Sequence, residues 1–374
     1  MLPRSWSIAC LVLLLGATLV ACTAGGPAPP AARPESGAPP AAAAAPTAPS
    51  PSAAGQPATS PRVPPPPAAR PARLHKVTYG IVSHNPFHWV AIAAQAKGLL
   101  EPYGIEFELV LTRSAPAAMA ALASGSLDLA TTTPGAAWDV QQRTPGLKQV
   151  MEIASANPYV VIAQPQITSY ADVRGQTIAG QSLSSGADIE TLRILLAEHG
   201  LEYPRDYDIL AIGSVAERHA ALLANQVALA AMLPPNSFEL IERGKKVLDV
   251  GANYPFFRNV TTVNVLAREA WYTENPDVAR RFIQGYVAAT AWLYDPANRE
   301  EAIALLTDTT NMERRFAERT YDQWVSELRL YPLNPRVHPE NLAQAYANLR
   351  RVGQAVPDDV AGLIDNRLVD EALR

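Results

Sequence analysis

The stretch ALASGSLDLATTTP at residues 121–134 aligns without gaps, one hundred positions later, with ALLANQVALAAMLP at residues 221–234. Each copy has the pattern of a helix end, a residue that tolerates the left-handed conformation, a short apolar strand and a proline. Gly125 and Asn225 occupy the same place in the two copies. These two residue types close helices most readily. The echo therefore predicts two units of similar topology.

The residues upstream of each copy repeat the same alternation of short strands and helices. The predicted strands are residues 76–82, 105–111 and 127–130 in the first unit, and residues 177–179 and 207–212 in the second. The predicted helices are residues 86–99 (capped by Asn85), residues 115–123 (capped by Ser114), a helix from Ser184 or Ser185 to residue 199, and one from residue 215. This alternation is typical of α/β proteins. We therefore predict an α/β protein with two related lobes.

The prolines are concentrated near the N-terminus. Residues 23–72 hold 16 of the 34 prolines and 17 alanines, with no aromatic residue, lysine or aspartate. Such a segment cannot bury a core, and we predict a disordered tether. A Pro/Ala-rich chain extends by up to about 3.1 Å per residue, so the tether could hold the folded body away from a membrane. A spacer with no required length fits the composition equally well.

The first residues have the pattern of a signal peptide. Arg4 precedes an apolar run over residues 8–20, and LVAC at residues 19–22 ends it. The LVAC sequence resembles the bacterial lipobox, in which the cysteine is lipidated and becomes the new N-terminus, so we predict lipidation of Cys22. The alternative is an uncut membrane anchor, but the apolar run is shorter than the roughly 20 residues that a span needs.

Charge and cysteine content restrict the function of the folded body. Residues 1–73 carry five arginines and one glutamate, a net charge of +4, so the −4 of the whole chain leaves −8 for the rest. An acidic body without a basic cluster argues against nucleic-acid binding. Cys10 and Cys22 both precede the tether. The body therefore has no disulfide, cysteine-ligated metal or cysteine nucleophile.

Four further motifs resemble one protein family. They are KGLLEPYG at 97–104, ALASGSLD at 121–128, DVRGQTI at 172–178 and NPDVARRF at 275–282. Together they resemble the solute-binding proteins of ABC importers, in the branch that takes up sulfonates, nitrate and the pyrimidine precursor of thiamine. The resemblance implies the type II periplasmic binding protein fold, in which a ligand is enclosed between two lobes by hinge motion. The chain departs from the family at Ala228, where an aspartate equivalent to Asp128 is often found.

This resemblance divides the chain into five segments. They are a signal peptide at 1–21, the lipidated cysteine and tether at 22–73, lobe 1 at 74–164, lobe 2 at 165–258, and a return to lobe 1 at 259–374. The expected crossings lie near 159–163 and 260–266. The returning part has amphipathic patterns at 276–294, 299–306, 314–330 and 341–352, which predict helices packed on lobe 1. Trp292, Trp324 and Tyr346 fall on these helices, and we expect them to be core residues.

Ligands of open α/β sheets bind beyond the carboxyl ends of strands, near helix N-termini. The loops at these positions supply the candidate ligand-binding residues: His84, Asn85, Trp89, Thr132, Thr133, Ser184, Ser185, Gly186 and Ser214. Ser184, Ser185 and Gly186 could offer hydroxyl and N–H groups to an anion, or could simply cap a helix. Arg113 follows the second strand and could meet an anion or remain solvated.

His84, His88 and Trp89 form an unusual cluster for a loop. The histidines are four residues apart, a spacing that could place two metal ligands on one helix face. No third or fourth ligand accompanies them, so we predict no metal. Packing at the helix start and contact with an organic ligand, through Trp89 stacking or imidazole hydrogen bonds, both stay open.

No nucleophile-elbow, P-loop or zinc-protease motif is present. A fungal branch that resembles this family makes the thiamine pyrimidine, but it carries a cysteine-rich iron-binding segment that this body lacks. We therefore predict no enzyme activity and no cofactor. The prediction is a monomeric, lipid-anchored, extracytoplasmic protein that passes a small anionic or heteroaromatic molecule to an ABC permease. The alternatives are a two-lobe ligand sensor for a membrane signalling partner, and a metal-dependent enzyme like the pyrimidine synthase, which the absence of cysteine from the body disfavours.

Overall fold

The computed structural model describes residues 63–66 and 73–374. The predicted signal peptide and Cys22 lie outside the described residues, as does the predicted tether apart from residues 63–66 and 73. Within the described part, no helix is both long and apolar enough to cross a bilayer.

Ten strands form two five-stranded sheets, one in each lobe. The strands are β1 His75–Ile81, β2 Ile105–Leu111, β3 Leu129–Thr132, β4 Leu147–Ala154, β5 Val160–Ala163, β6 Thr177–Gly180, β7 Asp208–Ala211, β8 Leu229–Met232, β9 Lys246–Val250 and β10 Val263–Arg268. Their order is β2-β1-β3-β10-β4 in lobe 1 and β7-β6-β8-β5-β9 in lobe 2. The predicted α/β class with two related lobes is confirmed.

The repeated stretch occupies the same place in both sheets. Leu129 begins β3 and Leu229 begins β8, and each strand is third in its sheet. Gly125 (φ 85°) and Asn225 (φ 57°) have the left-handed conformation that ends the preceding helices. Asp128, which Ala228 replaces in lobe 2, accepts hydrogen bonds from the Thr78 N–H and hydroxyl, both at 2.9 Å. The aspartate therefore ties β3 to β1 in lobe 1 only.

The chain crosses between the sheets earlier than the sequence predicts. β4 is the last strand of lobe 1 before the crossing, and β5 pairs antiparallel with both β8 and β9 in lobe 2. Residues 160–164 therefore belong to lobe 2, and the predicted boundary at 164 is corrected to the segment between Ala154 and Val160. β10 returns to lobe 1, where it pairs antiparallel with β3 and β4.

Twelve α-helices are found within residues 73–374. They are α1 Trp89–Ala96, α2 Ala115–Ser124, α3 Pro134–Gln141, α4 Ala187–Glu198, α5 Val215–Leu223, α6 Asn236–Glu242, α7 Glu269–Glu274, α8 Pro276–Tyr294, α9 Arg299–Thr310, α10 Arg314–Tyr321, α11 Pro339–Arg351 and α12 Arg367–Ala372. The helix predicted over 314–330 is shorter, because α10 gives way to a π-helical turn at Asp322–Glu327. The helix predicted to reach residue 99 ends at Ala96, before Gly98 (φ 61°).

The C-terminal helices pack on lobe 1 through aromatic side chains. Tyr79 of β1 lies 6.1 Å from Phe282 and 6.3 Å from Tyr286 of α8, measured between ring centroids. Trp324 and Tyr346 are fully buried, whereas Trp292 is half-buried. Burying large aromatic rings is the strongest packing contribution available here. The helices therefore complete the core of lobe 1, and loops shape the cleft between the lobes.

Candidate functional site

A cavity lies between the lobes, at the carboxyl ends of β1, β3 and β6. Its empty volume, which includes space open to solvent, is about 470 Å³. Its walls are Val82, Ser83, Asn85, Phe87, His88, Ala115, Thr131, Thr132, Thr133, Tyr159, Gln181, Ala187, Val215, Arg218 and Val263. We call this space the cleft cavity. Both lobes contribute to it, so its shape depends on how far the lobes close.

A second space adjoins the cleft cavity at the mouth of the cleft and shares Val82, Ser83 and Val215 with it. Its empty volume is about 770 Å³. The polar residues around it are His84, Arg113, Ser214, Glu217, Asn236, Thr309 and Thr310. We call this space the cleft mouth.

The loop after β1 forms one wall from lobe 1. The Asn85 side chain accepts a hydrogen bond from the Phe87 N–H at 2.9 Å and donates to the Ser83 hydroxyl at 3.0 Å. This bond starts a single helical turn at Pro86–His88, as the sequence predicts. Burial, aided by nearby His84, lowers the pKa of His88 to about 3. His88 is therefore a neutral imidazole at the cleft.

Three consecutive threonines form the other wall from lobe 1. The Thr131 hydroxyl donates to the Gly80 carbonyl at 3.2 Å, which ties β3 to β1. The Thr133 side chain accepts from the Ala136 N–H at 3.4 Å and so caps α3. Its hydroxyl also donates to Glu190 of lobe 2 at 2.8 Å. Thr133 thus joins the two lobes at the edge of the cleft cavity.

Arg218 and Asp188 form a buried ion pair on the lobe 2 side. Arg218 Nε lies 3.4 Å from Asp188 Oδ2, and the two side chains are 2% and 0% exposed. Asp188 also accepts from the Gln181 N–H at 2.7 Å, and Arg218 Nη1 donates to the Gly213 carbonyl. Within the described residues, Nη2 makes no hydrogen bond. The guanidinium therefore keeps a donor for a bound molecule.

Glu190 lies beside this pair and contacts both lobes. Its carboxylate accepts from the Thr133 hydroxyl of lobe 1 and from the Gly186 N–H of lobe 2 at 3.3 Å. Burial is the largest cause that raises the pKa of Glu190, to about 7, and the hydrogen bonds from Thr133 and Gly186 oppose the shift. The charge of this contact between lobes therefore changes near neutral pH.

Ion pairs between α6 and α10 also join the two lobes. Glu242 of α6 in lobe 2 contacts Arg315 of α10 in lobe 1 and lies 3.2 Å from Arg319 of the same helix. The Arg319 guanidinium also lies 4.0 Å from the centre of the Phe238 ring. We call these four side chains the mouth latch. Together with Glu190, they show that the lobes are in contact at two separate places.

The structure brings five of the predicted site residues to the cleft. Asn85, Thr132 and Thr133 line the cleft cavity, and His84 and Ser214 line the cleft mouth. Ser214 also caps α5 in a capping box. Its hydroxyl accepts from the Glu217 N–H at 3.2 Å, and the Glu217 carboxylate accepts from the Ser214 N–H at 2.7 Å.

Trp89 does not reach the cleft, and the predicted ligand contact is corrected to a packing role. Its side chain is fully buried, and its indole N–H donates to the Ala302 carbonyl of α9 at 3.0 Å. Its ring meets Tyr321 edge to face, with centroids 5.9 Å apart. These partners lie more than 200 positions away along the chain, so no local pattern reveals them.

The serines before α4 also differ from the prediction. Gly186 (φ 126°) is the N-cap of α4, and no side chain caps the helix. Ser182 shapes the loop instead, because its hydroxyl donates to the Ser185 carbonyl at 2.6 Å. Ser184 is exposed, and Ser185 faces a separate cavity between α2 and α3. None of residues 184–186 lines the cleft cavity or the cleft mouth.

Sequence reasoning missed Arg218 and Tyr159, which line the cleft cavity. The stretch VAERHAALL has the pattern of an ordinary amphipathic surface helix, so nothing in it indicates that Arg218 is buried. One signal was available, since Arg218 lies four residues after the cap Ser214 and so projects from the same end of α5. Burial and the nearby Asp188 raise the pKa of Tyr159, so its phenol stays neutral.

No three side chains of the histidine, cysteine, aspartate and glutamate types come close enough to hold a metal ion within residues 63–66 and 73–374. His84 and His88 therefore lack the further ligands that a metal site needs.

A model of the family described as NMT1/THI5 like matches residues 85–299. A Brucella abortus protein named only as a binding protein is 26% identical over 230 residues, which cover 60% of this chain and 70% of that protein. The alkanesulfonate-binding protein SsuA from Xanthomonas axonopodis has a similar fold, with a TM-score of 0.61, 21% identity, and coverage of 82% of this chain and 99% of that chain.

Two further solved structures share the fold. The nitrate-binding protein NrtA from Synechocystis has a TM-score of 0.65 at 16% identity, covering 80% of this chain and 88% of its own. A DszB variant in complex with biphenyl-2-sulfinic acid has a TM-score of 0.56 at 15% identity, covering 80% and 98%.

Proposed function

The chain belongs to the NMT1/THI5-like family, and we propose that it is an extracytoplasmic solute-binding protein that delivers a small organic molecule to an ABC importer. The observation that carries this proposal is the buried guanidinium of Arg218, which faces a cavity built by both lobes. The names of the Xanthomonas and Synechocystis proteins, an alkanesulfonate-binding and a nitrate-binding protein, support it, as does the Brucella protein's name as a binding protein.

The walls of the cleft cavity fit an anionic or heteroaromatic ligand. Arg218 Nη2 can donate to a carboxylate, sulfonate or similar oxygen from the lobe 2 side. The rings of Phe87 and Tyr159, 6.0 Å apart between centroids, can pack against a planar ligand. The threonine hydroxyls and the Asn85 and Gln181 amides add uncharged hydrogen-bonding groups. The ligand class predicted from the sequence is therefore retained as a proposal.

Closure of the two lobes is the mechanism of capture. A ligand that touches Thr132 in lobe 1 and Arg218 in lobe 2 gains its full set of contacts only when the lobes meet. It therefore shifts the population toward the closed form by as much as its affinities for the two forms differ. The closed form, with the mouth latch formed, would be the one that the permease binds.

We propose binding without turnover. The described body contains no cysteine. Of the two buried carboxylates near Arg218, Asp188 pairs with that arginine, and Glu190 accepts hydrogen bonds from Thr133 and Gly186 and does not line the cleft cavity. A nucleophile or a poised acid–base pair at the ligand would need a different arrangement. The DszB structure shows that the fold is not reserved for transport proteins, so product analysis after incubation with the bound ligand tests this part of the proposal.

We also propose attachment to the outer face of a membrane through lipidated Cys22. The support is the LVAC sequence at the end of an apolar leader, followed by a Pro/Ala-rich segment. Mass spectrometry of the protein purified from membranes would detect a diacylated cysteine at the mature N-terminus. A Cys22→Ala variant that stays in the membrane fraction would contradict the lipid anchor.

Native mass spectrometry of protein purified without refolding identifies the ligand, and variants of Arg218 then test its contact. We expect Arg218→Lys to weaken binding by roughly tenfold, because an ammonium keeps the charge beside Asp188 but loses the planar fork. Arg218→Lys also limits destabilisation, since Asp188 keeps a cationic partner.

Ser184→Ala is the matched control, because Ser184 is exposed and does not line the cleft. It should leave the affinity unchanged. The proposed contact is wrong if Arg218→Lys binds as tightly as the wild type, or if Ser184→Ala weakens binding by a similar factor.

A further inference from the structure

A separate cavity lies outside the cleft, between α4 and the loop that follows it in lobe 2 and the end of α11 in lobe 1. Its empty volume is about 850 Å³. Its walls are Arg193, Ala197, Leu201, Glu202, Tyr203, Tyr207, Arg350, Arg351, Val352 and Gly353. We call it the outer pocket. It shares no wall residue with the cleft cavity or the cleft mouth.

The outer pocket carries an uncompensated positive charge. Arg350 pairs with Asp358 at 3.0 Å, and Arg351 pairs with Glu198. By contrast, no carboxylate of the described residues lies within 4.0 Å of the Arg193 guanidinium, whose Nη2 donates to the Val352 carbonyl at 3.0 Å. The only acidic wall residue, Glu202, pairs with Arg205 at 3.1 Å. The charge of Arg193 is therefore free to attract an anion into the pocket.

Two tyrosines give the same pocket an aromatic wall. The Tyr203 and Tyr207 ring centroids are 5.9 Å apart, and Tyr203 is only half-buried. Burial raises the pKa of Tyr207 to about 12, although the charge and hydrogen bond of Arg193 act to lower it. Tyr207 is thus neutral and close to Arg193. A flat ring against these tyrosines would place an attached carboxylate beside the guanidinium.

We propose that the outer pocket binds a small aromatic carboxylate, whose carboxylate pairs with Arg193 and whose ring packs on Tyr203 and Tyr207. The pocket has walls from both lobes, and Arg193 of lobe 2 already donates to Val352 of lobe 1. A ligand held there stabilises the closed arrangement. Because coupling between two sites is reciprocal, it also raises the affinity of the cleft cavity for its own ligand.

Isothermal titration of the protein with benzoate tests the site directly. We expect saturable binding to the wild type, a loss of roughly tenfold or more in Arg193→Gln, and clearly weaker binding of cyclohexanecarboxylate, which has the charge without the aromatic ring. Arg113→Gln is the matched control, since it removes an exposed guanidinium at the cleft mouth and should keep benzoate affinity.

Tyr203→Leu gives an independent test that leaves every charge in place, and we expect it to weaken benzoate binding several-fold. Absence of benzoate binding to the folded wild type would overturn the proposal. So would a loss in Arg113→Gln with none in Arg193→Gln, which would place benzoate in the cleft, or equal binding of cyclohexanecarboxylate. None of these titrations needs the cleft ligand, so failure here is distinct from failure of the solute-binding proposal.

Discussion

Protonation of Glu190 changes the charge of the contact between the lobes. The residue is 8% exposed, and its carboxylate accepts a hydrogen bond from the Thr133 hydroxyl of the other lobe and has a pKa raised to about 7. Asp188 and Asp139 face it and add to the rise. A carboxyl whose pKa is raised on folding holds its proton in the folded state after the unfolded chain has lost it, so stability falls as pH rises between the two pKa values.

We therefore expect the free energy of unfolding to fall between about pH 4.5 and about pH 7, with Glu190 contributing up to about 3 kcal/mol. Glu152, buried in lobe 1 with a pKa raised to about 7, acts in the same direction. Urea denaturation at pH 5 and pH 7.5 measures the difference. Glu190→Gln should reduce it while keeping the hydrogen bond from Thr133. An undiminished difference in Glu190→Gln would show that this carboxyl is not the buried titrating group.

Residue identity also explains which of the predicted residues lie at the cleft. The Asn85 and Ser214 side chains accept hydrogen bonds from backbone N–H groups two and three positions later in the chain, at an Asn-Pro helix start and in a capping box. Local sequence was therefore enough to identify both. The roles of Trp89 and Arg218 depend on Ala302 and Asp188, which are distant in sequence. Their positions in the fold follow from tertiary packing, which one sequence without structure does not reveal.

At the scale of elements, two helices from different lobes form the mouth latch. Glu242 on α6 meets Arg315 and Arg319 on α10, and all three side chains are between 38% and 54% exposed. Exposed ion pairs contribute about 0.2–1 kcal/mol each and weaken with salt. The latch therefore biases the open–closed equilibrium without locking it.

Glu242→Gln should lower the affinity for the cleft ligand by a few-fold, because it removes two exposed ion pairs that favour closure. Titrations at low and high salt, roughly 50 and 500 mM NaCl, should show an affinity that falls with salt in the wild type. The affinity of the variant should change less between the two salt concentrations. Glu313→Gln is the control, since Glu313 pairs with Arg315 inside lobe 1. An equal loss of affinity in both variants would show that the mouth latch does not favour closure.

Element boundaries were predictable where the sequence marks them. The bounds of α8 match because Pro276 starts it and Asp295-Pro296 follows it. The crossing was placed too late because β5 is a four-residue apolar strand that would fit either sheet. Its assignment to lobe 2 depends on pairing with β8 and β9. A hydrophobic pattern identifies such a strand but does not identify its partners.

At the scale of the whole molecule, two sheets with the same strand order enclose one cleft, and the chain crosses between them by way of β5 and β10. At the cleft cavity, Arg218 is paired with Asp188 of its own lobe. The contacts that join the lobes include Glu190 with Thr133, the mouth latch, Arg193 with Val352, and Arg351 with Glu198. This division is what a hinged capture protein needs, since each lobe moves as a unit.

The central claim is that a small molecule bound between the lobes holds them closed. Small-angle X-ray scattering of the protein, first freed of ligand and then saturated with the molecule found by native mass spectrometry, tests it most directly. We predict a smaller radius of gyration with ligand, and an intermediate value for Glu242→Gln at the same ligand concentration. An identical scattering curve with and without saturating ligand would contradict the account.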